Sequence, residues 1–185
     1  MFDFCPSCGH EELDMRVPPL DDRPRQVCVR CDTIHYHNPK MVCGVLLTHG
    51  TQVLLARRSI EPRKGCWTLP AGFMENGETT AEAAAREARE EACAHSEDMI
   101  LYGLFSLPTI HQVYIMYRGT LRDGVHRAGD ESSDTGLFSE KEIPWDDIAF
   151  PIVTRTLRRF FAERLSGQFQ VFDERIEGRA RSRTG

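Results

Sequence analysis

Residues 72–94 read GFMENGETTAEAAAREAREEACA, and the rest of the chain is best read outward from them. Gly72 opens a glycine-rich turn. Thr79 followed three residues later by Glu82 is a capping box, in which each side chain satisfies a backbone N–H that the helix start leaves open. Ala83, Ala84, Ala85 and Ala88 are strong helix formers, so a helix is predicted to start at Thr79 and run through the carboxylates. At about 100° per residue, Ala81, Ala84, Ala85, Ala88 and Ala92 share an arc roughly 100° wide. An arc of such small side chains can lie very close to a neighbouring sheet. Glu87 and Glu91 fall about 40° apart on its flank, with Glu90 about 60° further round. Crowded carboxylates repel and raise one another's pKa. A hard divalent cation removes that cost, and oxygen-rich sites of this kind suit Mg²⁺ or Mn²⁺. Arg86 is expected to pair with Glu82 and Glu90, each four residues away. The competing reading is a solvated acidic helix face.

The full register favours the first reading: Gly72, five residues, Glu78, seven residues, Arg86-Glu87, then Glu90-Glu91. This resembles the Nudix box, a glycine turn followed by a carboxylate helix. Cys93 stands where that family usually has a helix-ending glycine, and Ala88 and Ala94 are small for positions that usually carry larger aliphatics. The resemblance implies an α+β fold with a mixed sheet sandwiched between helices. It also implies hydrolysis of a nucleoside diphosphate linked to another group. Glu87, Glu90 and Glu91, with Arg86, would then be catalytic. Glu90 or Glu91 would chiefly ligate Mg²⁺, and Glu87 would be shared between metal and proton transfer. The Leu69-Pro70-Ala71-Gly72 run extends the likeness and implies a metal-ligating backbone carbonyl at Ala71 or Gly72. A downstream loop carboxylate is a further family feature, and Glu131 is the candidate in the polar stretch 123–134.

The N-terminal segment carries its own signal. Cys5 and Cys8, then Cys28 and Cys31, form two C-x-x-C pairs able to make a closed tetrahedral Cys₄ site for structural Zn²⁺. A segment this short lacks a core, so metal would supply its folding energy. Disulfides are the alternative, disfavoured by the lack of a basic signal-peptide start. His35 and His37 read as strand or loop residues. The expected organisation is a zinc ribbon over 1–38, a hydrolase domain over 39–165 and a tail over 166–185.

Within the second segment, Val42–Thr48 reads as a strand buried on both faces, His49–Gln52 as a hairpin turn and Val53–Arg58 as the return strand. Leu101–Leu107 and Val113–Gly119 are further strands, and Thr154–Leu165 an amphipathic helix with Val153, Leu157, Phe160, Phe161 and Leu165 inward. Arg57 and Arg63 flank the polar loop 59–65 and are the candidate phosphate contacts, since arginine matches phosphate oxygens.

The 185 residues carry 28 acidic against 23 basic side chains, a net charge of −5. That balance disfavours a nucleic-acid track and leaves room for a small phosphorylated substrate met by metal and local arginines. No apolar run approaches the ~20 residues that span a bilayer, and a cytoplasmic setting is expected. Beyond the box, YHNPKMV, SIEPRKGCWTLPAGF and LFSLPTIHQVYIMY are similar to a Nudix subgroup whose plant members hydrolyse FAD and ADP-ribose. The runner-up likeness is to zinc-bearing NADH pyrophosphatases, whose SQPWPFPxS-type motif is replaced here by Phe105–Ile110. A catalytically idle binding or regulatory protein and an RNA-cap hydrolase are the remaining alternatives. A homodimer is implied by the resemblance alone.

Overall fold

The computed structural model describes residues 2–177. The chain divides into two compact units, 1–39 and 40–185. The first unit is a three-stranded antiparallel sheet of β1 (Leu13–Arg16), β2 (Arg25–Cys28) and β3 (Ile34–His35) in that order. Its core is very small: Cys5, Pro18, Val27 and Cys28 are its buried apolar residues among those described. Each C-x-x-C pair sits on a tight turn, with Gly9 N–H donating to Cys5 O and Asp32 N–H to Cys28 O. His35 is buried in β3, and His37 Nε2 lies 3.1 Å from Gln26 Oε1. Neither histidine belongs to the four-cysteine group.

The second unit is built on β4 (Lys40–His49) and β5 (Gln52–Arg58). Their hairpin pairs only at Thr48–Val53 and His49–Gln52, after which the two strands splay apart. Two short strands fill the gap: β6 (Trp67–Thr68) pairs with β5, and β7 (Ala71–Phe73) pairs with β4. The turn at Pro70 is thereby pinned at the sheet, with Val45 N–H donating to Pro70 O. Then come α1 (Thr80–Ala92), β8 (Ser96–Leu107), β9 (Gln112–Leu121), β10 (Ser132–Phe138), α2 (Pro151–Glu163) and β11 (Phe172–Arg175). The strand order is β10-β5-β4-β9-β8-β11, with β4–β9 and β8–β11 parallel and the other neighbours antiparallel.

Alternation along the central strands puts a helix on each face. Leu46, Val53 and Leu55 pack with Ile152, Val153, Leu157, Phe160 and Phe161 of α2. Cys43, Val45, Leu47 and Leu54 pack with Ala83, Ala84, Ala88 and Ala92 of α1. The predicted mixed sheet between helices is the fold observed.

Details differ from expectation where tertiary context overrides local pattern. The buried face of α1 is Ala83, Ala84, Glu87, Ala88, Glu91 and Ala92, rotated from the predicted alanine arc so that two carboxylates are drawn inside. Leu165 is 87% exposed because α2 ends before it. The strand expected from Leu101 begins at Ser96, with one bulge after Glu97 and a second between Leu101 and Gly103. The tail expected from residue 166 contributes β11, a parallel neighbour of β8, so the second unit runs past 165. Residues 178–185 of that tail lie outside the described residues.

Helix α1 begins as predicted. Thr79 accepts from Glu82 N–H, and the Glu82 carboxylate accepts from Thr79 N–H at 2.8 Å. Its end rests on Cys93 in the left-handed region at φ 45°, a position that glycine takes without a Cβ penalty. Cys93→Gly is therefore expected to stabilise the protein by about 0.5–1 kcal/mol, visible as a rise of a few degrees in Tm. A lower Tm would show that the Cys93 side chain contributes more than its backbone strain costs.

Candidate functional site

The splayed hairpin sets the geometry of the site. It presents the Ala71–Gly72 backbone to the buried face of α1, and the glutamates meet it there. A Cβ built on Gly72 would stand 2.3–2.4 Å from the Glu87 carboxylate, so any larger residue would push that carboxylate from its place. Ala71 N–H donates to Glu91 Oε2 at 3.2 Å. Glu87 and Glu91 are 8% and 6% exposed. Glu90, one step round the helix, keeps its side chain 59% exposed.

Arg86 ties the cluster to the turn. It grips Glu78 with two nitrogens at 2.8 and 3.1 Å, donates to Phe73 O at 3.0 Å, and reaches Glu87 at 2.7 Å and Glu90 at 2.9 Å. The expected partner Glu82 is not among these. Its carboxylate is committed to the capping box, and Glu78 takes its place from the turn before the helix. The Arg86 guanidinium holds the Glu78 carboxyl down to about 2. Burial acts the other way on the helix: it pushes Glu87 up from the ordinary carboxylate range, against the pull of Arg86. Burial also pushes Glu91 up to about 8, with one backbone N–H opposing it.

A loop completes the cluster. Arg127 N–H donates to Ala92 O and Gly129 N–H to Glu91 O, satisfying the last carbonyls of α1. The loop crosses so close that a Cβ on Gly129 would fall 1.7 Å from Glu90 O. Glu131 follows, its carbonyl held by Ser59 N–H at 2.9 Å, and its charge is one of those that raise Glu87 and Glu91. The stretch read as irregular up to residue 134 thus becomes strand at Ser132, directly after the candidate carboxylate.

These residues line one cleft of about 1260 Å³ in the second unit, which includes Ala71, Gly72, Arg86, Glu87, Glu90, Glu91 and Glu131. The same cleft is also lined by apolar residues, among them Leu107, Ile110, Tyr114, Met116, Ile152 and Val153. Arg63 lines the cleft; Arg57 does not, and spends its Nε on Gly65 O. Its neighbour Arg58 lines the cleft instead. Side chains alternate along a strand, so adjacent arginines on β5 cannot share a face. The sequence signal that could have chosen between them is the phase of Leu54 and Ala56 against Val53 and Leu55.

In the first unit, Cys5, Cys8, Cys28 and Cys31 place their sulfurs within 4.8 Å of one another. The Cys5–Cys31 and Cys8–Cys28 separations are 3.7 and 3.6 Å. A tetrahedron with Zn–S arms of 2.3 Å has edges of ~3.8 Å, so the four thiols fit a zinc ion. None of them forms a disulfide.

Comparison with known proteins agrees with this arrangement. The NUDIX domain family matches residues 37–161, and the family described as Nudix N-terminal, a zinc ribbon, matches residues 3–37. The chain is 31% identical over 113 residues to an ADP-ribose pyrophosphatase of Methanocaldococcus jannaschii, covering 59% of this chain and 67% of that protein. It is 30% identical over 146 residues to the NAD-capped RNA hydrolase NudC of Pseudomonas putida strain GB-1, covering 76% of this chain. It spans about half (49%) of that relative's length. Among solved structures, a NUDIX hydrolase from Nitrosomonas europaea superposes with a TM-score of 0.90 at 46% identity, covering 95% of this chain and 99% of the other. Matched over most of its length and carrying the box residues on one cleft wall, the chain belongs to the Nudix hydrolase family.

Proposed function

We propose that this chain is a Mg²⁺-dependent pyrophosphatase acting on a nucleoside diphosphate linked to a second group, with ADP-ribose or FAD ahead of NADH. The observation that carries the reading is the buried Glu91 carboxylate, held by a single backbone N–H, beside Glu87 and Glu131 on the wall of the large cleft. A buried charge needs a partner, and the all-oxygen donor set of Glu87, Glu90, Glu91 and the Ala71 carbonyl has the chemistry that suits a hard cation, although among the described residues only the four cysteines already bring their ligand atoms within 4.8 Å of one another. When bound, Mg²⁺ (or Mn²⁺) screens the phosphate oxygens and makes water more acidic. Glu87 or Glu131 receives the proton of the attacking water. The water oxygen bonds to one phosphorus, the bridging P–O bond breaks, and AMP leaves with the second phosphate product. Arg86 holds Glu87 and Glu90 in register with the turn.

The names of the relatives, ADP-ribose pyrophosphatase and NAD-capped RNA hydrolase NudC, support the preferred substrate and, as alternatives, a NAD-type dinucleotide or a NAD-capped RNA. The cleft has room for a two-part ligand, since drug-sized ligands occupy ~300–1000 Å³ and this cleft is about 1260 Å³. We further assign structural Zn²⁺ to Cys5, Cys8, Cys28 and Cys31. None of the seven cysteines is in a disulfide, which suits a reducing compartment such as the cytoplasm.

AMP release from ADP-ribose, FAD and NADH, compared by kcat/KM with Mg²⁺ present, tests the substrate ranking. ADP-ribose or FAD is expected to lead; NADH in first place establishes the alternative, and no turnover of any of the three refutes the substrate reading. Glu87→Gln, Glu90→Gln and Glu91→Gln are each expected to lower turnover, by ~100-fold or more where proton transfer is lost. Near-wild-type rates in all three would refute the assignment.

Stability should report the same site. Without metal, folded Glu91 keeps its proton up to about 8, whereas the unfolded chain releases it at the ordinary 4.5. Its contribution to stability is therefore full below 4.5 and is lost as pH rises through about 8. Melting curves of Glu91→Gln should lose that fall, and Mg²⁺ should stabilise wild type most at the alkaline end. An unchanged pH profile in the variant would contradict the burial argument.

Zinc content by elemental analysis should be one per chain. Cys8→Ser or strong chelation should unfold the first unit, given the ~10 kcal/mol that such sites supply. A metal-free chain with the ribbon intact would overturn the zinc assignment.

A further inference from the structure

We propose that Arg58 is the residue that grips the diphosphate of the substrate, held in position by the Phe150 ring. The inference rests on the cleft being a pyrophosphatase site and names the group that recognises the scissile unit.

The geometry singles it out among the cleft's three arginines. Arg86 is consumed by Glu78, Glu87, Glu90 and Phe73 O, which leaves it nothing to offer an anion. Arg63 stands in the exposed loop after β5. Arg58 ends a strand that is fixed on both sides, by β10 through Ser132 and by Arg58 N–H donating to Cys66 O. Only its Nε is spent, on Pro62 O at 2.8 Å. Its two terminal nitrogens have no hydrogen-bond partner among the described residues, and they form the fork that matches phosphate oxygens.

The guanidinium lies 5.3 Å from the centre of the Phe150 ring, a stacking arrangement that orients the fork and restricts its motion. Arg58 lines the same cleft as Glu87, Glu91 and Glu131 on one hand and Tyr114, Phe150 and Ile152 on the other. Arg58 therefore offers its free fork inside the cleft that also holds the carboxylates, within which the diphosphate of a two-part nucleotide must lie. Arg57, one residue earlier, faces away and serves as an internal control.

Steady-state kinetics with ADP-ribose should show kcat/KM falling ~10- to 100-fold in Arg58→Ala, the loss expected for one charge-assisted contact. The effect should lie mainly in KM. Arg58→Lys should recover part of it, and Phe150→Leu should raise KM less than Arg58→Ala does. Arg57→Ala should stay within about twofold of wild type. Equal losses in Arg57→Ala and Arg58→Ala, or an unchanged Arg58→Ala, would overturn the proposal.

Calorimetric binding of inorganic pyrophosphate provides a second arm that needs no turnover. It should be at least ~10-fold weaker in Arg58→Lys or Arg58→Ala. If wild type hydrolyses none of the tested dinucleotides, the substrate reading fails while this arm still decides Arg58. Equal pyrophosphate affinity in wild type and variants would remove the assignment.

Discussion

Two carboxylates of one helix, Glu87 and Glu91, are buried against the backbone of Ala71–Gly72, and the second unit is arranged to make that burial possible. The close approach requires a short-side-chain helix face, supplied by Ala83, Ala84, Ala88 and Ala92. It requires a turn held rigidly at the sheet, supplied by the splayed β4–β5 hairpin and its two inserted strands. It also requires the far end of the helix to be closed by a loop that can touch it, which Gly129 allows. Folding energy that a larger helix face would have gained from packing is given up for a cluster of charge.

The electrostatics divide cleanly between two arginines. Arg86 faces the helix and is saturated by five hydrogen bonds to four residues, so its work is to fix the positions of Glu78, Glu87 and Glu90. Arg58 faces the cleft with its terminal nitrogens uncommitted and is propped on an aromatic ring. Glu91 has neither guanidinium in bonding range, and burial leaves its charge the least satisfied of the group. A site that holds anions against one another in this way is poised for a cation, and the apolar remainder of the cleft is suited to the organic part of a ligand.

Much of this was legible in the chain. The capping box at Thr79 and Glu82 depends on residues three apart and was read directly, as were the β4–β5 hairpin and the Cys₄ spacing. What escaped was set by partners distant in sequence. Arg86 chose Glu78 over Glu82 because the cap had already taken the latter's carboxylate. The buried face of α1 turned towards Glu87 and Glu91 because the turn of β7 offers Glu91 a backbone donor. Arg57 and Arg58 are alike in local sequence and are separated by strand phase, which the pairing of β5 with β10 fixes. Strand β11 reads FDER, too polar to signal a strand by itself, and forms because β8 offers it an edge.

The most direct measurement is a side-chain carbon NMR titration of the metal-free protein with glutamates labelled at the carboxyl carbon. One carboxyl should titrate near 8, vanish from the spectrum of Glu91→Gln, and move into the ordinary acidic range when Mg²⁺ is added. If every glutamate titrates in the ordinary range without metal, and Mg²⁺ shifts none of them, the buried carboxylates are not the cation site and the account of this cleft is wrong.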